Sequence, residues 1–205
     1  ILRVAQELNA DIIALQEVDF PRQDHAPIAP WLAQKTGMIA IGGPVWSREG
    51  VGYGNALLSR YPVDRVRRWD LSVGRHEPRG ALDVELTICG RTVHVLNTHL
   101  GLWPRERPQQ ADRLLELLSL SRRDLTILMG DLNEWHGWGK SLRGLRRVFG
   151  SPAAPVTFPA RWPVLALDRI WIFPAQALLT VEAHDTPRSR LASDHLPVKA
   201  DIYLP

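Results

Sequence analysis

The sequence predicts a layered α/β (α+β) domain, and three observations carry that prediction. Short apolar runs of strand length recur along all 205 residues. One of them alternates strictly between apolar and polar side chains, as a half-buried strand does. A few stretches between them carry helical spacing. No repeat, low-complexity tract or linker divides the chain, so a single domain over residues 1–205 is expected. Pattern alone leaves a mixed sandwich and a doubly wound sheet both open.

The elements follow in order. Ile1, Val4, Ala5 and Leu8 repeat at helical spacing, and Asn9-Ala10 breaks the helix. Ile12 to Leu15 is a continuous apolar run, suited to a strand covered on both faces. A short helix is predicted from Pro27 to Thr36, stopped by Gly37. Strands are predicted at Met38–Ile41, Asn55–Ser59 and Val66–Val73. Ala81–Ile88 sets Leu82, Val84, Leu86 and Ile88 against Asp83, Glu85 and Thr87, and Cys89-Gly90 joins it by a tight hairpin to Arg91–His99. Pro108–Ser121 reads as an amphipathic helix, Leu125–Met129 as a strand, and Ser141–Val148 as a basic helical piece. After a proline-rich loop from Ser151 to Pro163, strands are predicted at Leu165–Ile172, Leu178–Ala183 and Pro197–Tyr203.

Composition narrows the class. The chain is 45% hydrophobic and 23% charged, which excludes collagen, coiled coil and wholesale disorder. No apolar run reaches the roughly eighteen residues of a membrane-spanning helix. Cys89 stands alone, so neither an internal disulfide nor a thiolate metal cluster can form. The net charge of 25 − 22 = +3 is small for a nucleic-acid binder. Lysine occurs only at Lys35, Lys140 and Lys199; the remaining positive charge is arginine, which binds phosphate in a bidentate fork. Nothing in the composition points to a protein partner or a compartment.

Five segments put chemistry at strand ends. Glu17, in Gln16-Glu17-Val18-Asp19, emerges where a buried strand ends and suits a hard cation, though a solvated loop acid explains it equally simply. In Asn97-Thr98-His99, alternation puts Asn97 and His99 on one face. In Gly130-Asp131-Leu132-Asn133, two side chains spaced by two leave an extended backbone on the same side, a carboxylate to take a proton beside an amide to donate to an oxyanion. An Asx turn is the alternative there. Asp168 lies within an apolar strand and needs a partner; His195, in Ser193-Asp194-His195-Leu196-Pro197, is the candidate. Asp194 remains free for a metal or water.

Together, in this order, the five segments resemble the endonuclease/exonuclease/phosphatase family of metal-dependent phosphohydrolases with the DNase I-like fold. The resemblance implies a four-layer sandwich of two packed mixed β-sheets flanked by helices. It implies Mg²⁺, with Mn²⁺ as a substitute, held by Glu17 with Asp194 in the same network. It implies that His99, Asp131, Asn133, Asp168 and His195 form the catalytic group, with Asp131 or His195 as base. Asn55, in the segment Gly54-Asn55-Ala56-Leu57-Leu58-Ser59, and Arg79, in Glu77-Pro78-Arg79-Gly80, match substrate-binding positions. The family pattern also begins with a strand ending in Asn, which is expected ahead of the helix at Ile1.

The function so implied is hydrolysis of a phosphoester, most simply a phosphodiester, by in-line attack of water. The substrate is open between a lipid or small phosphodiester and nucleic acid. A DNA endonuclease or exonuclease, or a weakened nucleic-acid or phospholipid-binding module of the same fold, are the alternatives. Trp103, Trp135 and Trp138 follow the candidate residues closely; exposed, they would stack on bases or enter a lipid interface, and buried they are core. The arginines Arg143, Arg146 and Arg147 fit phosphates or a solvated helix face equally.

Overall fold

A computed structural model describes residues 1–20, 27–46, 52–120 and 125–204. Its core lies in three slabs, each explained by the side chains that face it. A five-stranded sheet runs in the order β4 (Val63–Asp70), β5 (Gly80–Ile88), β6 (Arg91–His99), β7 (Leu125–Asp131), β8 (Asp168–Phe173). Alternation sends Leu82, Val84 and Leu86 of β5, with Val93 and Val95 of β6, into the slab between the sheets. The opposite face, through Ala81 and Leu96, packs under α3 (Arg107–Leu120) and α4 (Lys140–Phe149) with Leu114, Leu118, Leu142, Leu145 and Phe149.

Across the middle slab lies an antiparallel sheet in the order β1 (Ile12–Phe20), β3 (Gly52–Ser59), β2 (Ile39–Trp46). Its outer face is covered by α1 (Leu2–Leu8) and α2 (Ile28–Thr36) through Val18, Leu32, Ala33 and Leu58. Pro44 is tolerated because β2 is an edge strand. A separate pair, β9 (Leu178–Ala183) with β10 (Val198–Ile202), adds its side chains Leu178 and Ile202 to the middle slab. The four layers expected from the resemblance are present. Only the five-stranded sheet is mixed, through the parallel pair β6–β7; the other layer is antiparallel and in two parts. Between β1 and β10 runs a groove of about 810 Å³, bordered by Val4 and Leu8 of α1 and floored by Val93, Ile127 and Met129.

Most predicted elements fall within a few residues of the observed ones, and two shift for visible reasons. β4 ends at Asp70 rather than Val73, because the Asp70 carboxylate accepts the Ser72 amide at 2.8 Å and Leu71 turns into the core. β8 starts at Asp168 rather than Leu165, because Leu165 pairs instead with Phe158 across the 157–165 loop. The Cys89-Gly90 hairpin forms with both residues at positive φ, 50° and 77°. The predicted helix end at Ser121 lies outside the described residues. Among the described residues no helix is long and apolar enough to cross a membrane.

Candidate active site

Strand register assembles the site. The parallel pair β6–β7 sets His99 beside Asp131, and the antiparallel pair β7–β8 sets Asp131 beside Asp168. Three residues distant in sequence thus stand in one row at the end of the five-stranded sheet. Gly130 makes that row possible: a Cβ there would lie 1.8 Å from the Thr98 carbonyl oxygen, and its φ is 141°.

The row is an electrostatic cluster. Burial, together with the charge of Asp168 on the neighbouring strand, pushes the Asp131 carboxyl up to about 6. Asp168 Oδ2 accepts hydrogen bonds from Thr157 Oγ1 at 2.5 Å and from His195 Nδ1 at 2.9 Å. Burial alone would lower the His195 imidazolium, but the bond to Asp168 and the charges of Asp168, Asp131 and Asp194 outweigh it and raise it to about 9. His195 Nε2 is then a proton-bearing nitrogen 3.9 Å from Asp131 Oδ2. The Phe158 ring, 4.8 Å from the imidazole, closes its other side.

Asp131 and Asn133 are not paired as on an extended strand. Asp131 Oδ1 accepts the Asn133 amide at 2.8 Å in an Asx turn, and Asn133 takes φ 49°. The turn rotates the Asn133 side chain onto the Leu100 carbonyl (2.9 Å) and toward His99 Nε2 (3.0 Å). The two residues still converge on one place, by a turn rather than by alternation.

His99 is buried, and this burial, with the Arg79 and His195 charges, lowers its imidazole to about 3, so it is neutral. Its short distances to Asp131 (3.6 Å) and Glu17 (4.0 Å) are therefore proximities and not ion pairs. Arg79 Nη1 stands 3.3 Å from Nδ1 and the Asn133 amide faces Nε2; a neutral ring has one acceptor, so one of the two is a full hydrogen bond. Arg79 is 2% exposed, so it is a buried residue of the site and not a solvated loop arginine. It donates to Glu77 at 2.6 Å and reaches Tyr53 at 3.5 Å, while its buried Nε has no partner among the described residues.

Glu17 arrives from the opposite sheet. A bulge between Leu15 and Val18 puts it at φ 55°, which turns its carboxylate out of the strand, 69% exposed. Gln16 in the same bulge donates to Asn97 Oδ1 at 2.7 Å, and Asn97 donates to the carbonyls of Leu15 and Ala56. Asn97 thus ties the two sheets together beneath Glu17, a function that alternation in Asn97-Thr98-His99 did not disclose. Asn55 is buried in β3 and donates to the Gly80 carbonyl at 2.9 Å, so it is a strand residue and not a turn residue. Glu17, Tyr53, Asn55, Arg79, Gly80 and His99 line a cavity of about 10 Å³, the size of one water or ion.

Ligand atoms of Asp131, Asp168 and His195 lie within 4.8 Å of one another. The trio offers three atoms able to ligate a metal, and with a proton on His195 the same three work as an acid–base group. Asp194 is exposed, accepts from Ser193 Oγ at 3.3 Å and stands outside the trio. The structure brings Tyr53 of β3 against Arg79, and Thr157 and Phe158 against Asp168 and His195, three residues that the sequence did not single out because their contacts join distant segments.

Comparison with known proteins agrees with this geometry. The family model described as the Endonuclease/Exonuclease/phosphatase family matches residues 1–195. The uncharacterized protein YbhP of Escherichia coli is 32% identical over 217 residues, spanning 96% of this chain and 85% of that protein. An endonuclease/exonuclease/phosphatase family protein from Leptotrichia buccalis superposes with a TM-score of 0.79 at 15% identity, over 99% of this chain and 91% of that one. The mannosyl-6-phosphatase Bt3783 of Bacteroides thetaiotaomicron gives 0.75 at 17% identity, over 99% and 89%. The match along nearly the whole chain, with the strand-end row of His99, Asp131 and Asp168, shows that the chain belongs to the endonuclease/exonuclease/phosphatase family.

Proposed function

We propose that the protein is a Mg²⁺-dependent hydrolase of phosphoesters, in which water attacks phosphorus in line. The observation that carries this reading is the pair of adjacent proton holders, Asp131 and His195, 3.9 Å apart at the sheet end. Family membership supports the bond type, since nucleases and phosphatases alike cleave a phosphorus–oxygen bond.

The chain's own residues divide the work. Asp131, raised to about 6, is ionised at neutral pH yet basic enough to take a proton from the attacking water. The water oxygen bonds to phosphorus as the ester oxygen departs, and that oxygen receives the proton held on His195 Nε2. Asp168 grips Nδ1 and stabilises the imidazolium until it gives the proton up. Arg79 and Asn133 offer N–H donors to the phosphoryl oxygens, and His99 between them stays neutral and takes no proton from the water.

Glu17 fits a hard cation: it is an exposed carboxylate beside the small cavity, turned out of its strand by the bulge. Mg²⁺ bound there, or Mn²⁺ in its place, would neutralise charge developing on the phosphoryl oxygens. Asp194, next to His195 in the chain and close enough to raise its imidazole, is the second acid of the proposed network.

A hydrolysis panel tests the reading, with a chromogenic diester, phospholipids and DNA as substrates, in Mg²⁺ or EDTA. Turnover in Mg²⁺ alone is expected, and His195→Ala is expected to be about 10²-fold slower or worse. Equal rates for His195→Ala and wild type would overturn it.

A further inference from the structure

Seven tryptophan side chains are described, and their exposure sorts them. Trp171 is 2% exposed in the core, Trp69 is half-buried and Trp31 reaches 38% on α2. Four others are far more open: Trp103 at 61%, Trp135 at 61%, Trp138 at 81% and Trp162 at 79%. All four sit on loops that border the cluster. Trp103 follows His99 in the loop before α3, and Trp135 and Trp138 follow Asn133 in the loop before α4. Trp162 tips the 157–165 loop, whose Thr157 and Phe158 touch Asp168 and His195 and whose Ala160 amide donates to the Asp194 carbonyl at 2.6 Å.

These loops are built and joined. Arg107 donates to the Leu102 carbonyl at 2.6 Å and lies 3.6 Å from Glu134, which in turn accepts from Ser141 Oγ at 2.6 Å. The Trp103 loop and the Trp135 loop therefore share one brace. Each also holds its indole against an imidazole, Trp103 on His76 at 5.9 Å and Trp138 on His136 at 5.5 Å.

We infer that this rim is a membrane-interface face, which seats the site on phosphoesters carried in an anionic bilayer. Indole rings favour the headgroup level, where an apolar body meets a polar edge. Leu102 and Leu191, 63% and 78% exposed on the same border, extend the apolar surface. Aliphatic side chains have no ring to stack on a base, so they fit acyl chains and not single-stranded nucleic acid. Exposed Arg75, Arg105, Lys140 and Arg161 lie within two residues in the chain of these indoles or of their imidazole partner His76, and they outnumber the exposed acids Glu77 and Asp194 on these segments, which suits a negative surface. The inference deepens the proposed phosphoesterase reading and rests on it for the substrate class, while membrane binding itself is read separately.

The test is cosedimentation of the intact protein with vesicles of phosphatidylcholine alone or with phosphatidylglycerol, beside hydrolysis of a water-soluble chromogenic diester. Wild type is expected to bind the phosphatidylglycerol vesicles with a blue shift of tryptophan emission. The variant Trp103→Ser/Trp138→Ser/Trp162→Ser is expected to bind about tenfold more weakly, equivalent to about 1.4 kcal/mol, and to keep the soluble-diester rate. No vesicle binding at low salt, or binding unchanged in the variant, would overturn the inference. So would tryptophan quenching by single-stranded DNA that the variant loses while vesicle binding persists. A rate of zero on every substrate with vesicle binding intact would instead sink the hydrolase reading and leave the face standing.

Discussion

Asp131 and His195 set the behaviour expected at the scale of single residues. Catalysis needs Asp131 without its proton and His195 with its own. The kcat/KM of the chromogenic diester is therefore expected to rise through about 6, where Asp131 ionises, and to fall above about 9, where His195 loses its proton. His99, lowered to about 3, adds no inflection between them. A profile whose acid limb lies below pH 5 would remove Asp131 as base. The same raised carboxyl burdens the fold. Its folded value lies above the usual 3.8, so the ionised form costs stability fully at pH 7, and that cost fades as pH drops through 6 toward 4. Asp131→Asn is accordingly expected to melt higher than wild type at pH 7, by on the order of 1–3 kcal/mol, with the gain absent at pH 4. Its hydrolysis should be lost. Thermal melts at the two pH values check the sign.

Among elements, the bulge in β1 and the strand β6 beneath it act together. Asn97 is fully buried and makes its hydrogen bonds to Gln16, Leu15 and Ala56 on the other sheet. Asn97→Ala leaves those buried carbonyls without a donor, and a loss of about 2–4 kcal/mol is expected from urea unfolding. Gln16→Ala lies on the half-exposed side, costs about 1 kcal/mol or less, and is expected to raise the Mg²⁺ concentration for half-maximal activity, because Glu17 loses its anchored neighbour. An unchanged Mg²⁺ response would separate the bulge from the metal. At this scale the sequence was informative where chemistry and alternation coincide. The five segments and the β5–β6 hairpin could be read from local pattern, because each is a few polar residues set against an apolar run, although a bulge at Glu17 and a turn at Asp131 break the period itself. Arg79 could not: beside its local partner Glu77, its burial comes from Tyr53 and His99, contacts that no short window of the chain contains. The Asx turn at Asp131 was visible as an alternative, and the choice between turn and strand was made by the Leu100 carbonyl, which the Asn133 amide reaches only from the turn.

For the whole molecule, the four layers follow from which faces are apolar, and the sequence therefore pointed to them through resemblance and pattern together. The division of the second sheet did not announce itself, since β1 and β10 lie at opposite ends of the chain. Among the described residues each has one edge without a strand partner, and the groove of about 810 Å³ separates them.

The left-handed backbone at Glu17 (φ 55°) and Asn133 (φ 49°) has a consequence for anyone selecting variants of this protein. Neither residue is glycine, and each holds a conformation that glycine adopts at no steric cost. A library sorted only for heat resistance is thus expected to enrich Glu17→Gly early and to return proteins that outlast the parent while turning over nothing, whereas Asn133 stays, because its side chain satisfies the buried Leu100 carbonyl. Sorting for activity at moderate temperature would keep both side chains and accept the lower melting point.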